Sequence, residues 1–311
     1  MIELCQATKR YGPKEALHAV DLRIPEGCVL GLLGVNGAGK TTALNLMTGY
    51  FPPTSGSVRV DGMDMLTQPR ACKRRIGYLP EQPPLYDEMS VAGFLTFVSR
   101  LREVKDRDIP GHVKDICGLC GLEEVAGRPV GKLSKGYRQR VGIASALCGD
   151  PPTLILDEPT VGLDPRQVVE IRSLIRTLGE THTVVFSSHL LPEVQQLCTR
   201  VAILHQGRLV REGSLEELQG GSRRLRLEAL GAPEKLLPAL RGLPGVQRVL
   251  PQETGEAGVT AVLLECEEKA EISEALFRLL CALDAPIRLL APERDSLEEI
   301  FLRLTAGKEA P

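Results

Sequence analysis

The sequence predicts an α/β protein with an antiparallel β part, a helical insertion and a second, smaller α+β domain. Three observations predict this fold class. An apolar run at 28–33 leads through a glycine-rich loop into a helix-like segment. A stretch of about sixty residues from Ser90 onward has helical periodicity and interrupts the alternation of strands and helices. Beyond residue 221, strands and helices follow the order βαββαβ, which predicts a ferredoxin-like sandwich.

Length and charge limit the domain organisation and the partners. The chain has 311 residues, so we expect two domains, 1–220 and 221–311, with a helical subdomain at about 86–150. Residues 220–222, Gly-Gly-Ser, are the candidate linker. A net charge of −2 shows no basic excess, so we expect no nucleic-acid partner. No apolar stretch is long enough to cross a bilayer and no signal-peptide layout is present, so we expect a soluble intracellular chain.

Nine cysteines are scattered along the chain, and we expect reduced thiols. Cys117 and Cys120 form a C-x-x-C pair, for which redox chemistry and half of a zinc site are the functional alternatives. No second pair completes a metal site. The spacing places both thiols on one face of a helix that ends near Gly121, so the pattern favours packing.

The first strands are predicted from alternation. Residues 2–8 and 16–24 alternate apolar and polar side chains around a Gly-Pro turn, which indicates an antiparallel hairpin. Tyr11 lies at its tip, where its ring could stack on a purine, although an exposed turn tyrosine is the alternative. Further strands are predicted at 56–61, 75–79, 200–205 and 208–212, the last two as a hairpin around Gln206-Gly207. Helices are predicted at 141–147 and 168–178.

The loop at 34–42 reads GVNGAGKTT and satisfies the pattern GxxxxGK[ST]. Its glycines let successive backbone N–H groups point inward, and the positive end of the next helix faces the same space, so the loop is predicted to cradle phosphates. Lys40 can reach the β- and γ-phosphates, and the Thr41 hydroxyl can ligate Mg²⁺. The candidate binding residues are Gly34, Val35, Asn36, Gly37, Ala38, Gly39, Lys40, Thr41 and Thr42.

Two later strands end in groups that can do chemistry. The apolar strand at 153–156 runs into Asp157 and Glu158, and the strand at 183–186 is followed by Ser-Ser-His189. Asp157 could hold Mg²⁺, and Glu158 could orient or deprotonate the attacking water. His189 could donate to a γ-phosphate oxygen. A solvated turn and a structural histidine are the alternatives, but parallel sheets place such strand ends at one edge, beside the phosphate loop.

Taken together, residues 1–220 resemble the ATPase subunit of an ATP-binding-cassette (ABC) transporter, a P-loop NTPase. GVNGAGKTT resembles the Walker A loop, LILDEP the Walker B strand, and LSKGYRQR at 133–140 the signature LSGGQ. VGLD, ending at Asp164, resembles the D-loop, and His189 the switch histidine. Tyr11 matches the adenine-stacking aromatic of the family. Ser134 and Gly136 match the signature positions that contact the γ-phosphate.

At two places the sequence departs from the usual pattern of the family. The segment IGYLP is usually followed by a glutamine that reaches Mg²⁺, but Glu81 stands there and Gln82 comes next. The signature has Lys135 and Tyr137 where glycine and glutamine are usual. Such variants resemble the ATPases of drug, polysaccharide and gliding-motility exporters. Their C-terminal extension ends in a segment similar to SLEEIFLRLT at 296–305.

The resemblance implies ATP and Mg²⁺ as cofactors and ATP hydrolysis that powers export. It implies an integral-membrane permease as partner, with the ATPase at the cytoplasmic face of the cell membrane. It also implies a second ATPase subunit, packed head to tail as an ATP-dependent dimer, in which Ser134 and Gly136 of one subunit complete the site of the other. The alternative is an ABC-type ATPase outside transport, in translation or DNA maintenance. It would call for tandem cassettes or long coiled coils, which the sequence does not predict.

Overall fold

The computed structural model describes residues 1–219, 223–254, 256, 258–267, 272–293 and 296–306. The chain divides into two compact units, Met1–Leu215 and Glu216–Pro311. The linker predicted at 220–222 lies outside the described residues, so the domain boundary beside it stays a prediction. None of the described helices is long and apolar enough to span a membrane.

The first unit alternates strands and helices in the order of the chain. Its strands are β1 (Ile2–Tyr11), β2 (Lys14–Ile24), β3 (Val29–Leu33), β4 (Ser55–Val60), β5 (Met63–Asp64), β6 (Ile76–Leu79), β7 (Thr153–Leu156), β8 (Thr183–Ser188), β9 (Arg200–His205) and β10 (Arg208–Ser214). Its helices are α1 (Lys40–Met47), α2 (Pro69–Arg74), α3 (Val91–Leu101), α4 (Ile109–Cys120), α5 (Lys135–Leu147), α6 (Pro165–Gly179) and α7 (Leu191–Leu197). The helix α8 (Leu215–Gln219) follows at the boundary.

Two sheets share the first unit. The antiparallel sheet has the order β2-β1-β4-β5, which confirms the predicted hairpin of β1 and β2. The larger sheet has the order β10-β9-β3-β8-β7-β6, and its neighbours pair in parallel except for β10 and β9. Every residue of β3, β7 and β8 is buried, as expected of parallel strands covered on both faces. The predicted hairpin of β9 and β10 is confirmed, and β9 also joins β3 in parallel.

The helical insertion consists of α3, α4 and α5. Ser90 caps α3 by accepting a hydrogen bond from the Gly93 N–H, and Gly121, with φ of 62°, ends α4 in the left-handed conformation. The predicted start of α5 at residue 141 is wrong. The helix begins at Lys135, because the Ser134 side chain accepts from the Tyr137 N–H and caps it there. The second half of the signature segment is therefore helical.

The cysteines, all in the described part of the chain, are mostly buried. Cys5 is half-buried and Cys281 exposed, whereas the other seven are buried. Burial raises the pKa of Cys120 to about 12, which keeps its thiol protonated. Within the described residues, no group of three or more His, Cys, Asp or Glu side chains could hold a metal ion. The packing role predicted for Cys117 and Cys120 agrees with their burial on α4.

The second unit has the predicted ferredoxin-like arrangement. In chain order it contains β11 (Arg223–Leu230), α9 (Pro233–Arg241), β12 (Val246–Gln252), β13 (Val259–Cys266), α10 (Ser273–Ala282), β14 (Ile287–Glu293) and α11 (Leu297–Ala306). The sheet order is β12-β13-β11-β14, and all its pairings are antiparallel. Its core includes Leu227, Val262 and Leu276, and it shares no residue with the core built around the first unit's sheets.

Because the second unit has a hydrophobic core of its own, a core defect there is expected to leave ATP binding intact. Leu276 is 0% exposed, so Leu276→Ala should lower that unit's free energy of unfolding by about 2–5 kcal/mol. Leu302→Ala, at a side chain 57% exposed, is the matched control and should cost less than about 0.5 kcal/mol. Denaturant unfolding followed by circular dichroism, with nucleotide binding measured in parallel, checks this. Joint loss of ATP binding and of the second unit's fold would contradict it.

Candidate active site

A cavity of about 690 Å³ lies at the edge of the larger sheet where β3, β7 and β8 end. The phosphate loop forms its floor, and the tip of the first hairpin and the turn between β9 and β10 form further walls. Its lining residues are Tyr11, Lys14, Glu15, Ala16, His18, Val35, Asn36, Gly37, Gly39, Lys40, Thr41, Thr42, Glu81, Glu158, Val161, His189, Gln206 and Gly207. Most of the predicted site residues therefore converge on one space.

The phosphate loop adopts a conformation that its glycines permit. Gly37 and Gly39 have φ of +82° and +104°, in the left-handed region. A Cβ at Gly39 would lie 2.9 Å from the Ala16 carbonyl oxygen, so this position also needs the missing side chain. Lys40 begins α1, is 7% exposed, and donates through Nζ to the Gly34 carbonyl at 2.8 Å. The loop thus holds its lysine inside the cavity.

Two predicted loop residues shape the loop without lining the cavity. A Cβ at Gly34 would lie 2.7 Å from both the Ala38 Cβ and the Leu204 carbonyl oxygen. The carbonyl of Ala38 accepts from the Gly207 N–H at 3.0 Å, and the Gly207 carbonyl in turn accepts from the His18 N–H at 2.8 Å. The turn after β9, to which the sequence analysis gave no role in the site, thereby ties the loop to β2.

Asp157 follows β7 and is 1% exposed. Its Oδ1 accepts from the Ser187 hydroxyl at 2.6 Å and lies 3.5 Å from the Thr41 hydroxyl oxygen. Its Oδ2 is buried and has no hydrogen-bond partner among the described residues. Burial raises the pKa of Asp157, because an ionised carboxylate is poorly solvated there. A buried carboxylate oxygen without a partner, beside a threonine hydroxyl, fits Mg²⁺, which prefers oxygen ligands.

Glu158 lies between Lys40 and His189 and contacts both. Its Oε1 lies 3.4 Å from Lys40 Nζ, and its Oε2 accepts from His189 Nδ1 at 2.9 Å. The residue has φ of +46°, an uncommon conformation for a side chain other than glycine. Its N–H donates to the Ser187 hydroxyl at 2.8 Å, and the same hydroxyl donates to Asp157. Ser187, which the sequence analysis noted without assigning a role, therefore fixes both acids.

Tyr11 and Glu81, which the sequence analysis placed near the nucleotide, both lie in the cavity wall. Tyr11 lines the cavity and is 42% exposed. Phe51 packs edge-on against it, with ring centroids 6.1 Å apart, and Lys9 Nζ lies 5.4 Å from its centroid. Glu81 and Gln82 are both exposed, and of the two only Glu81 lines the cavity. Which of the two faces Mg²⁺ stays a prediction.

Three predicted nucleotide contacts lie outside this cavity. Ser134 caps α5, and Asp164 caps α6 by accepting from the Gln167 N–H at 2.9 Å. Gly136 packs against Gln167, because a Cβ there would lie 2.6 Å from the Gln167 Cδ. None of the three lines the cavity of its own chain.

A phosphate loop at a parallel sheet edge, with an acid pair and a histidine, defines a nucleotide-hydrolysing protein of the P-loop class. Residues 17–161 match the family described as ABC transporter. The ABC transporter ATP-binding protein NatA of Bacillus subtilis (strain 168) is 39% identical over 229 residues, which is 72% of this chain and 93% of that protein. This chain belongs to the ABC transporter family.

Other relatives extend along nearly the whole chain. The daunorubicin resistance ATP-binding protein DrrA3 of Streptomyces coeruleorubidus is 33% identical over 307 residues, covering 96% of this chain and 94% of that protein. The bacitracin transport ATP-binding protein BcrA of Bacillus licheniformis is 29% identical over 309 residues, covering 99% and 98%. These matches support an ATP-binding and ATP-hydrolysing subunit of an ABC exporter over the alternative outside transport.

The fold has solved counterparts as well. A dimeric post-hydrolysis state of the ATP-binding cassette MJ0796, bound to ADP and Pi, superposes with a TM-score of 0.62 at 28% identity. The match covers 69% of this chain and 99% of that chain. The predicted P-loop NTPase fold is confirmed.

The buried Asp157 carboxylate is expected to lower the stability of the nucleotide-free protein. Because its pKa is raised, the cost of the buried charge is present at neutral pH and disappears as pH falls through the raised pKa toward the ordinary aspartate value. Asp157→Asn should therefore stabilise the nucleotide-free protein at neutral pH by about 1–3 kcal/mol, and the gain should shrink on acidification. Thermal unfolding across pH checks this.

The same variant should lose the additional stabilisation that Mg²⁺ gives in the presence of ATP. Asp115→Asn, at an exposed position on α4, is the matched control and should change neither property. A variant that is less stable than wild type at neutral pH, or that keeps the full Mg²⁺ effect, would contradict the assignment.

Proposed function

We propose that the cavity binds ATP with Mg²⁺ and that Glu158 is the catalytic base of hydrolysis. The observation that carries the proposal is the Glu158 carboxylate, held between Lys40 Nζ at 3.4 Å and His189 Nδ1 at 2.9 Å. A γ-phosphate at the loop would draw Lys40 toward its own negative charge and free one Glu158 oxygen. That oxygen could then orient a water molecule and accept its proton.

Mg²⁺, when bound, neutralises charge on the phosphates. The Thr41 hydroxyl and the unpartnered Oδ2 of Asp157 would hold it, and Glu81 lies on the same cavity wall. His189 is 39% exposed at the side chain, so its Nε2 edge can face a γ-phosphate. Because Nδ1 of His189 donates to Glu158, the ring can donate to a phosphate only through Nε2. Both ring nitrogens must then carry a proton, as in the imidazolium. Tyr11 would stack on the adenine.

We further propose that two subunits complete each other's sites. Ser134, Gly136 and Asp164 line no part of their own chain's cavity, although the family resemblance assigns them to nucleotide contact. Ser134 caps α5, and the first turn of this helix presents backbone N–H groups as hydrogen-bond donors. These donors suit a phosphate bound in another subunit. The similarity to a dimeric cassette supports the same arrangement.

A separate permease is the proposed membrane partner, which would bring the chain to the cytoplasmic face of the cell membrane. Beyond Glu81, exposed Tyr86 stacks edge-on with Phe94 and Phe97, at centroid distances of 6.0 and 5.7 Å. Phe97 is 36% and Leu101 66% exposed. An exposed apolar surface that follows the cavity-lining Glu81 along the chain suits a partner that must sense the nucleotide.

The cargo is proposed from the relatives that match the whole chain. Two relatives that span both units, DrrA3 and BcrA, are named for daunorubicin resistance and bacitracin transport. We therefore propose export of an antibiotic-type compound, with residues 221–311 as an accessory domain of this exporter type.

Glu158→Gln should retain ATP binding and lower turnover by roughly 10²–10⁴-fold, the usual cost of removing a positioned catalytic group. With ATP it should elute as a dimer in size-exclusion chromatography. Adding Gly136→Asp should return it to a monomer, because a carboxylate there would repel the γ-phosphate of the other subunit.

The matched control for the second substitution is Gly111→Asp, where a Cβ meets no atom within 4 Å. It should leave the nucleotide-dependent dimer intact. Wild-type turnover in Glu158→Gln would exclude Glu158 as the base. A dimer that persists with Gly136→Asp would argue against the signature contact.

Glu81→Gln should shift the Mg²⁺ concentration that gives half-maximal ATPase activity without abolishing hydrolysis. A carboxylate attracts the metal more strongly than an amide does and repels the γ-phosphate when the metal is absent. Gln82→Ala is the matched control, since Gln82 does not line the cavity. Titration of ATPase activity with Mg²⁺ decides, and a shift confined to Gln82→Ala would mean that Gln82 holds the metal-facing position.

A further inference from the structure

A second glutamate, Glu193, is buried beside the active site without lining its cavity. It lies in α7, and its side chain is 1% exposed. Burial of an ionised carboxylate costs free energy unless charge partners and hydrogen bonds replace water. The contacts of Glu193 meet that condition, and they lead to the two segments that carry Glu158 and His189.

Both oxygens of the Glu193 carboxylate are engaged. Oε2 accepts from the Thr160 hydroxyl and from the Ser188 hydroxyl, each at 2.9 Å. Oε1 accepts from Arg172 Nη2 at 3.2 Å, and Arg172 extends from α6. One buried carboxylate thus joins α6, α7, the last residue of β8 and the loop after β7, with its charge balanced by one guanidinium.

The Thr160 and Ser188 hydroxyls belong to residues that neighbour Glu158 and His189 in the sequence. Thr160 lies two positions after Glu158, whose backbone has the uncommon φ of +46°. Ser188 directly precedes His189, and its hydroxyl also accepts from the Leu190 N–H at 3.0 Å, so the backbone is held on both sides of the histidine. The segments joined by Glu193 are therefore the ones whose separation sets the 2.9 Å contact of His189 with Glu158.

We propose that Glu193 is a positioning residue for ATP hydrolysis. By holding Thr160 and Ser188 on one oxygen, it fixes the histidine and the base relative to each other, and Arg172 orients its carboxylate through the other oxygen. This inference rests on the roles proposed above for Glu158 and His189. Glu193 does not contact the phosphate loop or Tyr11 in the described structure, so its effect is on the chemical step and not on ATP binding.

The test substitution is Glu193→Gln, which preserves the shape of the side chain. The amide oxygen can still accept from one side, but the amide N–H₂ group adds donors and the charge opposite Arg172 is lost. We expect kcat to fall by about 10–100-fold, since a small displacement of catalytic groups costs up to about 10²-fold in rate. KM and the Kd for ATP should stay within about twofold of wild type.

The matched control is Glu103→Gln. Glu103 also pairs with an arginine, Arg74, but both side chains are exposed, at 66% and 62%. Exposed ion pairs contribute little to stability, so the kcat and the Kd for ATP of Glu103→Gln should equal those of wild type. Wild-type kcat in Glu193→Gln would overturn the proposal. So would a loss of ATP affinity as large as the loss of kcat, because that is the signature of a merely structural role.

A double-mutant cycle tests whether Glu193 acts through Ser188. If it does, Ser188→Ala combined with Glu193→Gln should lower kcat little more than the worse single variant does. If the two losses of kcat multiply instead, Glu193 and Ser188 act independently, which would contradict the idea that Glu193 acts through Ser188.

Should Glu193→Gln fail to fold, Thr160→Val and Ser188→Ala decide, because they are expected to lower kcat and leave the Kd for ATP unchanged. Glu158→Gln run in parallel separates the two proposals: wild-type turnover there overturns the proposed function, whereas an inactive Glu158→Gln beside a fully active Glu193→Gln overturns this inference alone.

Discussion

The parallel pairing of β3, β8 and β7 is the constraint on which the site depends. Leu33 pairs with Ser188, and Leu156 pairs with Phe186, so the three strands leave the sheet at nearly the same level. Each strand is apolar and buried on both faces, which fixes its place in the sheet. Polar groups more than a hundred residues apart in sequence, on the phosphate loop and after β7, therefore come within contact distance, as Lys40 and Glu158 do at 3.4 Å.

Two adjacent carboxylates have different environments at this edge. Asp157 is almost fully buried, and one of its oxygens lacks a protein partner, which suits a metal ligand. Glu158 faces the cavity with one oxygen toward a lysine and the other toward a histidine, which suits a group that handles a proton. Their surroundings differ although they are adjacent, because the Ser187 hydroxyl donates to the Asp157 carboxylate but contacts Glu158 only at its backbone N–H. That leaves the Glu158 carboxylate to Lys40 and His189.

The features that could be predicted from the sequence are those set by short stretches of chain. The phosphate loop, the hairpin of β1 and β2, and the acids after β7 each follow from local spacing and periodicity. The start of α5 could not be predicted, since Ser134 and Gly136 look like loop residues until the cap at Ser134 is formed. The contacts of Ser187 with the two acids and of Glu193 with Thr160 also escaped prediction, because each joins residues about thirty positions apart whose pairing only the folded sheet determines.

The distribution of the thiols has a practical consequence. Burial raises the pKa of Cys28, Cys72, Cys117, Cys120, Cys148 and Cys198, so these side chains present little thiolate to a reagent. Cys281, on α10 of the second unit, is exposed. A maleimide dye or spin label would therefore attach there in preference, without removal of the native cysteines. The second unit therefore carries its own attachment site for a spectroscopic probe.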